Sequence, residues 1–172
     1  MARFAELDID NNVLRVLKGC DTDVANNGGD WSEEAATHFG TVVPHLATGV
    51  KWVQYSLETE GNVHSSGGTP IRKNAAGLGG KYDPSADGFY AEQPFPSWTL
   101  NSTTFIWESP TTKPTAEQAD GKGVNWDEST EKWVGINGEP EEDGTHLKFE
   151  WNSSTDSWDA AGSITLETAT DL

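Results

Sequence analysis

A mainly β chain is predicted, with an N-terminal hairpin and small mixed region followed by tandem β-hairpins clipped by aromatics. Three observations lead there. A short motif recurs four times between Lys81 and Ala160: Tyr82-Asp83 is followed by Phe89, Leu100-Asn101 by Trp107, Trp126-Asp127 by Trp133 and Trp151-Asn152 by Trp158. Glycine (18), proline (8) and tryptophan (8) are abundant while apolar residues make up only 34%, so buried area must come from turns closed by a few large rings. Residues 4–9 alternate in polarity, and after a polar turn over 10–12 an apolar run returns over 13–17.

In each copy of the motif a bulky residue precedes Asp or Asn, a polar run follows, and an aromatic closes the unit seven positions after the first. An Asp or Asn opening a turn can accept from backbone N–H groups two residues on. The two bulky residues then become cross-strand neighbours on one face. A lone hairpin is marginal in water, so the copies must share a core or lean on a partner.

Along the chain, Phe4–Ile9 and Val13–Leu17 read as a hairpin turning at Asp10-Asn11-Asn12, with Ala5, Leu7 and Ile9 on one face and acids on the other. Asp21 to Asp30 reads as a solvated loop. Its Asp21-Thr22-Asp23 start does not continue as a calcium loop, because Ala25 and Asn26 stand where an oxygen ligand and glycine are needed. Ser32–Phe39 suits a short helix capped by Ser32 and stopped by Gly40. Val50–Leu57 has strand composition, with Val53, Tyr55 and Leu57 as its core face. Gly61–Gly80 reads as a long irregular loop. Its Gly-Gly-Lys end lacks the other residues of a phosphate-binding loop, Ala75 and Tyr82 standing in their places. Pro94-Phe95-Pro96 and Ser109–Pro114 are joints, Gly135–Gly144 is an acidic turn, and Ile164–Leu166 suits a last strand. The expected division is a mainly β region with a short helix over 1–80, hairpin repeats over 81–166 and a frayed tail over 167–172.

A formal charge of −17 argues against nucleic acid or an anionic membrane as partner. The single cysteine, Cys20, excludes an intrachain disulfide and a cysteine-based zinc cluster. With no signal-like segment at the start and no long apolar run, synthesis in a reducing cytoplasm is expected. The four histidines are dispersed, no serine lies in a nucleophile-elbow pattern, and the acids are so plentiful that a close carboxylate pair carries no signal without a cleft, so the expectation is no enzyme, no cofactor and no metal. The candidate interaction residues are aromatic: Trp98, Trp107, Trp126, Trp133, Trp151 and Trp158. Rows of such rings can stack on sugars or anchor on another protein. Closing the hairpins is the favoured use, because aliphatics are scarce after Lys81.

Several strings resemble a small protein of tailed phages of marine bacteria, cyanophages included. They are Met1–Asp8 with Asn11–Val16, Ile71–Gly79 leading into Tyr82-Asp83 and Phe89, and Trp107-Glu108-Ser109-Pro110. Trp126-Asp127-Glu128 to Trp133 belongs with them, and Pro94-Phe95-Pro96-Ser97-Trp98-Thr99-Leu100-Asn101 is the most specific. The likeness spans most of residues 1–135, and 136–172 extend beyond it. It implies a non-enzymatic structural protein of the virion, made in the host cytoplasm and decorating the capsid surface. Its partners would be the major capsid protein or other virion proteins, with self-association possible. It implies no catalytic or ligand residues. The alternative is a carbohydrate-binding module of a host-facing tail fibre or other tail component.

Overall fold

The computed structural model describes residues 2–47 and 50–166, which excludes the 167–172 tail. The chain is mainly β and forms two compact units, Met1–Pro94 with Leu100–Glu108 and Phe95–Thr99 with Ser109–Leu172. The division does not fall at Lys81: the first two copies of the motif belong with the N-terminal unit.

The first unit is built on a three-stranded antiparallel sheet of β1 (Arg3–Leu7), β2 (Val13–Lys18) and β3 (Lys51–Gln54), ordered β2-β1-β3. As the central strand, β1 buries both faces. Ala5 and Leu7 join Val13, Val53, Tyr55 and Phe89 in one apolar cluster. Phe4 joins Ala2, Val24, Ala35, Ala36 and Trp52 in another, formed with helices α1 (Asp21–Asn26) and α2 (Glu33–Val42).

Four expectations are corrected here. Ile9 is 79% exposed because the strand ends at Leu7 and Asp8 opens the turn, its carboxylate accepting from the N–H groups of Asp10 and Asn12. Residues 21–26 are helical, held by Val24 packing into the second cluster. Ser32 does cap α2, accepting from the Ala35 N–H, but Gly40 lies inside the helix. A Cβ on Gly40 would stand 2.9 Å from Trp52, so the glycine admits that ring. Leu57 is exposed because β3 ends at Gln54.

The acids are not all outside either. Glu6 is fully buried, its carboxylate 2.5 Å from the Arg15 Nε and 2.9 Å from the Leu46 N–H that it accepts. Arg15 also donates to the Pro44 carbonyl, so this pair holds residues 44–46 against the sheet.

The 61–80 segment is less loose than its composition suggests. A two-stranded ribbon, β4 (Thr59–Glu60) with β5 (Val63–His64), opens it. Asn74 accepts from the Gly61 N–H and donates to the carbonyls of Phe89, Thr104 and Phe105. Arg72 donates to the Gln54 carbonyl and pairs with Asp87 at 3.1 Å. These bonds fasten the first two repeat hairpins to the sheet unit, which is why the boundary lies beyond them. The hairpins are β6 (Lys81–Asp83) with β7 (Gly88–Tyr90), and β8 (Thr99–Leu100) with β9 (Trp107–Glu108).

In the second unit a short helix, α3 (Ala116–Ala119), carries a capping box between Thr115 and Gln118. It precedes one antiparallel sheet ordered β10 (Gly123–Asp127), β11 (Lys132–Ile136), β12 (His146–Asn152) and β13 (Ser157–Ile164). The third and fourth copies thus share a sheet, and the expected last strand is the end of β13. Residues 165 and 166 lie outside it.

Candidate functional site

All four copies of the motif form the same kind of turn. The side-chain oxygens of Asp83, Asn101, Asp127 and Asn152 accept from the N–H groups of Ser85, Thr103, Ser129 and Ser154, at 2.8 to 3.1 Å. Four residues after each of them the backbone is left-handed, with φ of 45° at Asp87, 57° at Phe105, 51° at Glu131 and 51° at Asp156. That pattern reverses the chain without glycine at the left-handed position. The second copy departs in one respect: Phe105 is buried against Tyr90, with ring centroids 5.8 Å apart.

The turns set the aromatic pairs. Tyr82 faces Phe89, Trp126 faces Trp133 and Trp151 faces Trp158 across their strands. Ring centroids lie 4.8, 5.3 and 5.2 Å apart, the last two pairs edge to face, the favourable arrangement for such rings. The β11–β12 register pairs Gly135 with Phe149, so Trp133 and Trp151 lie on the same side. One face therefore carries a tryptophan from every strand of the second sheet.

Trp126, Trp133 and Trp151 are 7, 5 and 7% exposed, with Phe95, Trp98, Val124 and Trp158 packed on them. Three indole N–H groups of the row are hydrogen-bonded as well. The indole N–H of Trp126 donates to Glu128, that of Trp133 to the Thr111 carbonyl, and that of Trp158 to the Gln118 carbonyl. Glu128 also accepts from the N–H and hydroxyl of Ser97, pinning the Phe95–Thr99 segment over the row. Burial opposes ionisation of this carboxyl, but the bonds from Ser97 and Trp126 prevail and hold it below the usual glutamate range. The opposite face is ionic: Lys132 meets Glu150 at 2.5 Å and Lys148 meets Asp127 at 3.7 Å.

Of the six candidate aromatics, five thus gather in the second unit, where three of them are buried. Trp107 lies in the first unit, half-buried, its indole N–H donating to the Ala91 carbonyl at 2.8 Å. Phe95 and Glu128 were missed as partners of the tryptophans. Phe95 sits in a Pro-Phe-Pro joint that reads as linker, and Glu128 follows the turn-opening Asp127 with nothing to distinguish it from other surface acids. Among the described residues no group of three or more His, Cys, Asp or Glu is placed to hold a metal ion, and no helix is long and apolar enough to cross a membrane. No protein-family model, curated protein or solved structure matches the chain.

Proposed function

We propose that this chain is a non-enzymatic structural protein of a tailed-phage particle, an accessory component seated on the capsid surface through other virion proteins. The observation that carries the reading is the use made of the aromatics. The tryptophan row that could have formed a ligand platform is turned inward, with three rings buried and their partners packed over them. Such a sheet works as a stiff scaffold. The resemblance of most of residues 1–135 to a phage protein supplies the setting, and the charge of −17 keeps the exterior soluble while favouring a basic surface as the seat. The same burial weighs against the carbohydrate-binding alternative, which needs exposed ring faces in sequence along a surface.

The test is mass spectrometry of particles purified from a phage encoding the chain, followed by labelling of the chain in whole-virion images. Stoichiometric presence on the head is expected. Absence from purified particles would overturn the proposal, and density confined to the tail fibres would transfer support to the alternative.

A further inference from the structure

The chain contains two Asn-Gly pairs, Asn27-Gly28 and Asn137-Gly138, and the fold treats them in opposite ways. A glycine after asparagine has no Cβ to hinder its nitrogen from approaching the asparagine side chain. Among the described residues neither glycine N–H meets an acceptor, so the side-chain amides distinguish the pairs.

Asn27 closes helix α1. Its Nδ2 donates back to the Asp23 carbonyl, four residues earlier, at 2.7 Å, which turns the amide away from Gly28. The Ser32 hydroxyl donates to the Asn27 carbonyl at 3.2 Å and fixes the peptide between the two residues. Gly28 is enclosed as well: a Cβ there would stand 2.8 Å from the Ser32 Oγ and 3.1 Å from the Glu34 Cβ.

Asn137 follows β11 and points the other way. Its Nδ2 donates forward to the Glu139 carbonyl, two residues on, at 2.7 Å. A side chain bonded two residues on folds over the intervening peptide, so Cγ lies to the side of the Gly138 nitrogen. The Asn137 Oδ1 is shielded from solvent and no donor meets it, so a single hydrogen bond holds this amide. The main chain is anchored meanwhile, its N–H donating to the Leu147 carbonyl at 3.2 Å and its carbonyl lying 3.0 Å from the His146 Nδ1. Gly138 is exposed, and a Cβ added to it would find nothing within 4 Å.

We propose that Asn137 is a site of spontaneous modification by water, its amide converting to aspartate and isoaspartate through attack by the Gly138 nitrogen. The Gly138 N–H gives its proton to hydroxide, and the nitrogen bonds to Cγ. The Cγ–Nδ2 bond then breaks, and ammonia leaves with a proton taken from water, closing a succinimide. Water reopens that ring at Cγ to give aspartate, or at the Asn137 main-chain carbonyl carbon to give isoaspartate. Each event thus consumes a water and releases an ammonia, with no oxidant or cofactor. Either product adds a negative charge to a turn that already carries Glu139, Glu141, Glu142 and Asp143. Isoaspartate also routes the main chain through Cγ at the point where β11 enters that turn. The inference goes beyond the virion reading and does not depend on it.

The experiment is incubation of the full chain in mildly alkaline buffer, with peptide-mapping mass spectrometry following the amide-to-acid mass gain at both asparagines. In the folded chain Asn137 is expected to convert about ten-fold faster than Asn27, the advantage of a side chain held beside its nucleophile. In urea, where both are Asn-Gly pairs in an open chain, the two rates should converge. Gly138→Ala places its Cβ in open space, at a backbone conformation outside the left-handed region, so the fold is kept. It should slow Asn137 about ten-fold by hindering the nitrogen and leave Asn27 unchanged. Conversion of Asn27 as fast as Asn137 in the folded chain would overturn the proposal, as would no conversion at Asn137. The same ratio in urea as in the folded chain would assign the difference to neighbouring residues and overturn the role of the fold. An unaltered rate in Gly138→Ala would overturn attack by the Gly138 nitrogen.

Discussion

Trp158 lies across Gly135, two strands away: a Cβ added to Gly135 would stand 2.9 Å from the indole Cζ3 and 3.0 Å from Cη2. The ring is held there by the 2.6 Å bond from its Nε1 to the Gln118 carbonyl and by its edge-to-face contact with Trp151. Gly135 is therefore the gap in β11 that seats the last tryptophan of the row. Gly135→Ala should cost about 1–3 kcal/mol, as overpacking does, and Trp158→Ala in the same chain should remove most of that increment. Urea denaturation of the four chains of this double-mutant cycle measures the coupling. A Gly135→Ala chain as stable as the parent would mean that the ring moves aside at no cost.

Trp133 occupies the middle of the row, touching both Trp98 and Trp126. Trp133→Ala should lower stability by about 3–5 kcal/mol, the cost of emptying a large aromatic site. Trp107→Ala should cost less, because that ring is half-buried. Comparison of denaturation midpoints checks the order, and the reverse order would place the principal aromatic core of the chain elsewhere.

Glu6 and Arg15 form an asymmetric pair: the carboxylate is fully buried, and the guanidinium side chain is 25% exposed. Removing the arginine leaves the buried carboxylate with only the Leu46 N–H and the His45 ring, 3.4 Å away, as partners, whereas neutralising the acid leaves a cation that can still reach solvent. Arg15→Met should therefore destabilise more than Glu6→Gln. Breaking such a pair costs about 3–5 kcal/mol in the interior, and the exposure of Arg15 places Glu6→Gln below that range. Thermal melts of the two variants decide it, and a larger loss in Glu6→Gln would contradict the argument.

Glu131 adopts φ of 51°, a strained conformation for a side chain with a Cβ. Glu131→Gly should stabilise the third hairpin by about 0.5–1 kcal/mol, and Glu131→Val should destabilise it. A melting temperature that falls with glycine would show that the Glu131 side chain contributes more than the strain it imposes.

The local chemistry of these hairpins was legible because it is written in consecutive residues. A bulky residue, an Asx and an aromatic seven positions on suffice to place Trp126 opposite Trp133. What the pattern could not reveal was assembly. Nothing around Asn74 marks a side chain that bonds three carbonyls in two hairpins, so the boundary was expected too early. Glu6 alternates with apolar neighbours as a solvent-facing residue would, and only the helices and the 44–46 segment packed on the Phe4 side of β1 make its face interior. The six aromatics were identifiable as a group, but burial of three of them depends on Phe95, Trp98 and Glu128, which reach the row through tertiary contacts.

Acid sensitivity follows from the turns. Bonds from Ser85 lower the pKa of Asp83, bonds from Ser129 lower that of Asp127, and bonds from Thr145 lower that of Asp143, all from an ordinary value of 3.8. Folding therefore favours the ionised form of each. The stability they contribute is fully present above pH 3.8 and is lost as pH falls through their lower folded values. Protonation also relieves self-repulsion in a chain of charge −17, which acts in the opposite direction as carboxylates neutralise near pH 4. Stability should thus hold or rise slightly on acidification from neutrality to about pH 4 and decline below it. Asp127→Asn keeps an oxygen to accept from Ser129 but removes the ionisation, so it should flatten the decline. Urea midpoints measured from pH 2 to 7 check this, and a decline equally steep in Asp127→Asn would exclude that turn as a source of the acid sensitivity.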